Sequence, residues 1–225
     1  MADRFPADGT HLARYARRFT AVEINSSFYR PHRPATYARW ADSVPDDFRF
    51  AIKVPKEATH ERRLVDTADV LDRFRNEVSH LGDKLGPLLV QLPPSLSFAG
   101  DMAAKFFADL RKRFRGAIVI EPRHATWFNA TAEQLMVEYC VARVAADPAV
   151  VPIAAQPGGW GGIVYYRLHG TPRVYYSAYS SDYLLALCKT TNTQPSNCES
   201  TWCIFDNTAA GFAVTNALEF QTLLT

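Results

Sequence analysis

Seven short apolar runs, rich in β-branched and aromatic residues, recur along the chain at 21–28, 48–54, 87–92, 117–121, 141–147, 163–169 and 202–206. Their length and composition predict strands. Between most of them the apolar spacing changes to three and four residues, the helical period. Val70, Leu71, Phe74, Val78 and Leu81 predict a helix in the second half of 66–85. Met102, Phe106, Leu110 and Phe114 predict one over 101–114, Leu135 and Tyr139 one over 131–139, and Val214, Leu218 and Leu224 one over 213–224. A further helix over 10–18 has Thr10 as its N-cap. Strands alternating with helices imply a parallel sheet with crossover helices. The runs end on Glu23, Lys53, Gln91, Glu121, Asp147, His169 and Asp206, a recurrence of about 30 residues, which is one βα module. The expected fold is therefore α/β and TIM-barrel-like, one domain over 1–225. Eight such modules take about 250 residues. Here seven strands are recognisable and the strand that should precede the first helix is lacking, so a gap or a substitute is expected where the barrel closes.

Each run is apolar until its end and then supplies groups that ionise or hydrogen-bond. Positions i and i+2 of a strand share a face. Glu23 with Asn25, Glu121 with Arg123, Arg143 with Asp147, and Arg167 with His169 are thus expected to point the same way. If the sheet closes, Lys53, Gln91 and Asp206 join them at the C-terminal mouth, where barrel enzymes keep their chemistry. Four carboxylates (Glu23, Glu121, Asp147, Asp206) are there offset by Lys53, Arg123 and Arg167, beside His60, His124 and His169. That balance suits capture of an anion and acid/base chemistry on it more than a dedicated divalent-cation site. No cofactor is required; were a divalent metal bound, its ligands would come from Glu23, Glu121, His169 and Asp206. The catalytic candidates are Glu23, Glu121, His169, His60 and Asp206. Asn25, Lys53, Gln91, Arg123, Arg167 and Asn207 would hold and orient the substrate. A structural ion-pair network has the same appearance in sequence.

Two loops extend the set. Residues 206–211 lead to the last helix, where backbone amides would receive a phosphate or Asn207 or Thr208 would cap the helix. The loop after His169 offers Arg173, Tyr175, Tyr176 and Tyr179, either to stack on a sugar or base or to cover the rim.

Composition narrows the classes further. Hydrophobic residues make up 48% and charged residues 21% of the 225, which excludes disorder. Lys+Arg 25 against Asp+Glu 23 leaves +2, so net charge names neither a nucleic-acid nor a membrane partner. Arginines at 14, 17 and 18 and the basic stretch 111–115 read as solvated helix faces. Apolar runs stay well below the roughly 18 residues of a membrane span, and the N-terminus has no signal core, so a cytoplasmic protein is expected. The four cysteines contain no Cys-x-x-Cys pair; Cys140 and Cys203 are expected as buried inert thiols. The glycines at 158–162 lack the Lys-Ser/Thr of a phosphate loop.

Six stretches in order carry a family resemblance: Val22-Glu23-Ile24-Asn25-Ser26-Ser27-Phe28-Tyr29; Phe48-Arg49-Phe50-Ala51-Ile52-Lys53-Val54-Pro55 with Thr59-His60; Gln91-Leu92-Pro93-Pro94; Glu121-Pro122-Arg123-His124 with Trp127; Arg167-Leu168-His169-Gly170; and Phe205-Asp206-Asn207-Thr208. Here the sequence resembles the uncharacterised YecE-like family, the domain of unknown function 72. The resemblance implies a TIM-barrel-like fold and adds Trp127 to the substrate-binding candidates. Members of that family open with a glycine-containing strand, and this chain is expected to start after it. The likeness settles no activity, and fold alone supplies none. The residues themselves favour an enzyme acting on a small phosphate-bearing anion, with phosphoester hydrolysis as the reaction. A nucleic-acid phosphodiester is a weaker substrate choice. Sugar-phosphate isomerase or lyase chemistry, a non-catalytic nucleotide- or anion-binding module, and an ion-pair plug are the alternatives.

Overall fold

The hydroxyl of Thr10 accepts a hydrogen bond from Ala13 N at 3.2 Å and so starts the first helix where a threonine cap should. In the computed structural model, which describes residues 5–193 and 197–224, the chain divides into two compact units. One runs up to Pro93 and includes Asp101–Ile118; the other comprises Pro94–Gly100 and the chain from Val119.

The first unit contains α1 (His11–Ala16), β1 (Ala21–Ile24), α2 (Ser26–Tyr29), α3 (Pro34–Asp42), β2 (Arg49–Lys53), a π-helical turn (Glu57–Glu61), α4 (Ala68–Val78), β3 (Leu85–Gln91) and nearly all of α5 (Gly100–Arg113). β1, β2 and β3 pair in parallel, with Glu23 opposite Ala51 and Lys53 opposite Leu89. Phe50, Ala51, Ile52, Leu89 and Val90 are completely buried. α4 buries Val70, Leu71, Phe74 and Val78, and α5 buries Phe106 and Leu110, the stripes expected from their spacing.

The second unit contains all but the first residue of β4 (Ile118–Glu121), then α6 (Ala130–Glu138), β5 (Val141–Arg143), β6 (Ala145–Asp147), β7 (Gly158–Gly159), β8 (Ile163–Leu168), α7 (Ser181–Thr191), β9 (Ser200–Phe205) and α8 (Phe212–Leu224). β6, β8 and β9 form a parallel sheet in that order. β4 neighbours β5, which pairs antiparallel with β7. The architecture is thus mixed α/β with mostly parallel strands alternating with helices, consistent with a TIM-barrel-like fold.

Several local expectations give way. The run 21–28 is strand only to Ile24, because Asn25 turns helical (φ −89°, ψ −19°). Ser27 Oγ holds that turn on the carbonyls of Ile24 (3.1 Å) and Lys53 (2.7 Å), so Asn25 does not continue the face of Glu23. The run 141–147 divides at Val144, whose N–H bonds Ile120 O at 2.8 Å. β5 and β6 consequently belong to different sheets, and Arg143 parts from Asp147. Arg143 is buried, paired with Glu133 and donating to the carbonyls of Ile153 and Gln156. The glycines beside it have a structural use: a Cβ at Gly158 would strike the Arg143 guanidinium, and Gly159 has φ +63°. α6 buries Ala132 and Met136 instead of Leu135 and Tyr139, because Leu135, Met136 and Val137 in a row define no single apolar face. Cys140 is exposed at φ +52°. Cys203 is partly exposed as a residue, yet burial still pushes its thiol up to about 12.

Candidate functional site

In the second unit, parallel register sets the exits of β8 and β9 side by side: Leu168 pairs with Phe205, and Asp206 N bonds Leu168 O at 2.8 Å. Five side chains meet there. Arg167 donates to Glu121 Oε2 at 2.7 Å and to Asp206 Oδ2 at 3.0 Å. Arg123 lies 2.6 Å from Glu121 Oε1. His169 Nε2 is 2.9 Å from Glu121 Oε1 and 2.8 Å from the Arg123 guanidinium, while its Nδ1 is 3.1 Å from Asp206 Oδ2. Two carboxylates and two guanidiniums balance, which is what such a depth of burial requires.

The five differ in access. Glu121 and Arg167 are 1% exposed and His169 is fully buried, whereas Arg123 and Asp206 retain 18% and 17%. Burial alone would raise the Glu121 pKa. The charge of Arg167, the hydrogen bond and charge of His169, and the charge of Arg123 together outweigh it and hold Glu121 well below the usual carboxylate range. Glu121 is therefore a fixed anion. The imidazole of His169 has a carboxylate at each nitrogen. With its proton on Nδ1 it donates to Asp206 and accepts from Arg123; with the proton on Nε2 it donates to Glu121. Such a ring can pass a proton between positions at little structural cost.

The other candidates in this unit serve packing. Trp127 is completely buried and its indole N–H donates to Leu96 O at 2.9 Å, so it presents no face to a ligand. Asn207 is equally buried and donates to Ser177 O (3.0 Å) and Asn216 Oδ1 (2.9 Å). The amides of Ala209, Gly211 and Ala213 bond Tyr175 O, Thr208 O and Asn207 O, and are thereby committed to loop and helix start instead of a phosphate. Asp147 accepts from Thr171 Oγ1 (2.7 Å) and Tyr179 Oη (2.6 Å), and ties down the loop after His169. His124 is occupied with Thr126.

In the first unit, Lys53 Nζ donates to Gln91 Oε1 at 2.8 Å and sits 4.1 Å from the centre of the Phe28 ring. The other edge of that contact is His60, whose ring meets Phe28 at 4.9 Å and whose Nδ1 is 2.8 Å from Thr59 Oγ1. Burial, and then the charge of Lys53, lower the His60 pKa. Glu23 is half-buried on β1, and Asn25 Oδ1 is buried without a hydrogen-bond partner among the described residues. His60 stands on the π-helical turn, a feature that recurs at functional sites and has no compositional signature. The turn runs into a segment in which Arg63, Leu64 and Asp66 all have positive φ. A cavity of about 620 Å³ opens at the opposite end of β3 from Gln91, lined by Arg75, Val78, Leu85, Phe114 and Arg115.

Among the described residues, no three His, Cys, Asp or Glu side chains are arranged to hold a metal ion. Nor is any of the described helices long and apolar enough to cross a membrane.

The family model described as a protein of unknown function, DUF72, matches residues 3–225. The chain belongs to the DUF72 family. YecE, the UPF0759 protein of Escherichia coli K12, is 36% identical over 126 residues, which are 56% of this chain and 46% of that protein; its O157:H7 counterpart matches equally. The chain thus spans about half the length of the curated relatives it matches. Two solved DUF72 proteins share the fold at 22% identity. One is EF0366 of Enterococcus faecalis V583, with a TM-score of 0.81 over 96% of this chain and 88% of that one. The other is TM1631 of Thermotoga maritima MSB8, with 0.77 over 92% and 85%. DUF72 names an uncharacterised family, and none of these names carries an activity or substrate.

Proposed function

We propose that this DUF72 protein is an enzyme that binds a small phosphate-bearing anion at the end of β4, β8 and β9 and hydrolyses its phosphoester. The observation that carries this reading is the graded access within a charge-balanced cluster: Arg123 and Asp206 reach solvent, while Glu121, Arg167 and His169 behind them do not. A plug selected only for stability has no need of that gradient, and buried ion pairs are a weak source of stability in any case.

In this mechanism Arg123 binds the phosphoryl oxygens, where a guanidinium offers planar, charge-assisted donors. Glu121 and Arg167 fix Arg123, His169 and Asp206 in place. Asp206 takes the proton of the attacking water, and His169, in contact with it through Nδ1, relays that proton onward. Glu121, anionic throughout, positions and does not titrate. Lys53 with Gln91, and His60 nearby across the Phe28 ring, form a separate polar group within the first unit.

The test is calorimetry with inorganic phosphate together with turnover of p-nitrophenyl phosphate. The wild-type protein should bind phosphate, R123M should bind it at least tenfold more weakly, and D206N should bind it while losing turnover about 10²–10⁴-fold. Wild-type protein that binds no phosphate overturns the reading. Binding without turnover in any variant, wild type included, favours an anion-binding module.

A further inference from the structure

Tyr175 belongs to no strand or helix, and its backbone lies at φ +69°, a region bulky residues rarely occupy. Two hydrogen bonds hold it there: its N–H donates to His169 O at 2.5 Å, and its carbonyl accepts from Ala209 N at 3.0 Å. The residue is thus clamped between the exits of β8 and β9, the two strands that deliver His169 and Asp206. Its ring meets the His169 imidazole edge-on at 5.9 Å while 43% of the residue remains exposed. Strain of this kind persists where surrounding structure over-determines it, and it clusters at sites of chemistry. A residue wanted only for the turn would be glycine, as Gly170 is at φ +94° in the same loop.

The geometry points to Tyr175 as the proton donor to the leaving group, which rests on the hydrolase reading above and deepens it: the substrate is an ester of an alcohol whose oxygen needs a proton on departure. The water oxygen forms a bond to phosphorus as the phosphorus–ester oxygen bond breaks, and that electron pair stays on the ester oxygen. The ester oxygen takes the Tyr175 phenolic proton, and the water proton passes to Asp206. Transfer of that proton from Asp206 back to the phenolate, relayed by His169 and solvent, restores both groups. Burial, and next the Asp206 carboxylate, raise the Tyr175 pKa, so the phenol is protonated at neutral pH. A phenol is intrinsically a stronger acid than the aliphatic alcohol it would protonate.

The experiment compares wild type and Y175F on two esters, glycerol 2-phosphate and p-nitrophenyl phosphate. The nitrophenolate departs without a proton and the glycerol oxygen does not. Y175F should lose at least tenfold more kcat on glycerol 2-phosphate than on p-nitrophenyl phosphate, with phosphate binding and the melting curve of the wild type. Equal losses on the two esters, or no loss on either, overturn the role of Tyr175 while leaving the hydrolase reading intact. Wild-type protein that hydrolyses neither ester overturns that reading, and the leaving-group role falls with it. An absorbance titration reads the geometry independently of turnover: the tyrosine that vanishes in Y175F should ionise at lower pH in D206N than in wild type, and an unchanged midpoint counts against the arrangement.

Discussion

Glu121 and Arg167 form an ion pair at 2.7 Å with each side chain 1% exposed. Neither charge has water to fall back on, so loss of Glu121 leaves the buried Arg167 with only the partly exposed Asp206 to balance it. E121Q is expected to destabilise the protein by about 3–5 kcal/mol at pH 7, the usual result of breaking a buried pair from one side. Urea unfolding at neutral pH measures it. Replacing both residues by apolar ones of similar size should cost much less.

The same carboxylate makes stability pH-dependent. Its folded pKa lies below its unfolded one, so the unfolded state binds more protons as the solution is acidified. The contribution is complete above the unfolded value, about 4.3 for a glutamate. It is lost as pH falls from there toward the folded value. Denaturation midpoints of wild type and E121Q should therefore converge as pH is lowered through that window; a gap that stays constant would mean Glu121 is not held as an anion.

The loop carrying Tyr175 depends on one glycine and one phenol. Gly170 has φ +94°, and a Cβ there would sit 2.8 Å from Ser177 O. G170A should cost about 1–3 kcal/mol from strain and contact. Tyr179 Oη accepts from Gly170 N at 2.7 Å and donates to Asp147 Oδ2 at 2.6 Å. Y179F leaves both groups short of a partner and should cost about 1.5–3 kcal/mol, as for a hydrogen bond to a charged group. Thermal melts of the two variants check both figures. Hydrogen exchange at 170–179 should rise in each.

What the sequence revealed and what it hid follow from the range of the forces involved. Strand cores and the faces of α4 and α5 were legible because burial imposes a period on neighbouring residues. The pairing of Glu121, Arg167, His169 and Asp206 was legible as a tendency, since all four close strands on polar groups. Which of them reach solvent was not, for that depends on residues 37 to 48 positions apart. Trp127 and Asn207 show the reverse: polar or aromatic residues in a motif looked like ligand contacts, yet their partners, Leu96 and Asn216, lie beyond any local pattern. Arg143 was misassigned because one residue, Val144, ends a strand without glycine or proline to announce it. For Tyr175 the sequence left stacking on a ligand and covering the rim equally open, since its positive φ is invisible in composition.

Lys53 and His60 supply the last test, within the first unit. The ammonium lies over one contact of the Phe28 ring and the imidazole against another, so the two share an apolar spacer and feel each other's charge. Burial lowers the His60 pKa first, and the Lys53 charge lowers it further. His60 should titrate below the ordinary value of about 6.5 when followed by its ring proton NMR signals. K53M removes the second cause and leaves the first, so the midpoint should rise but stay below that of a free histidine. A histidine whose folded pKa is depressed binds fewer protons folded than unfolded, so stability falls as pH drops below about 6.5. K53M should soften that fall. A His60 midpoint unmoved by K53M would show that the two groups do not share one environment, and the cationic group of this unit would then reduce to Lys53 and Gln91.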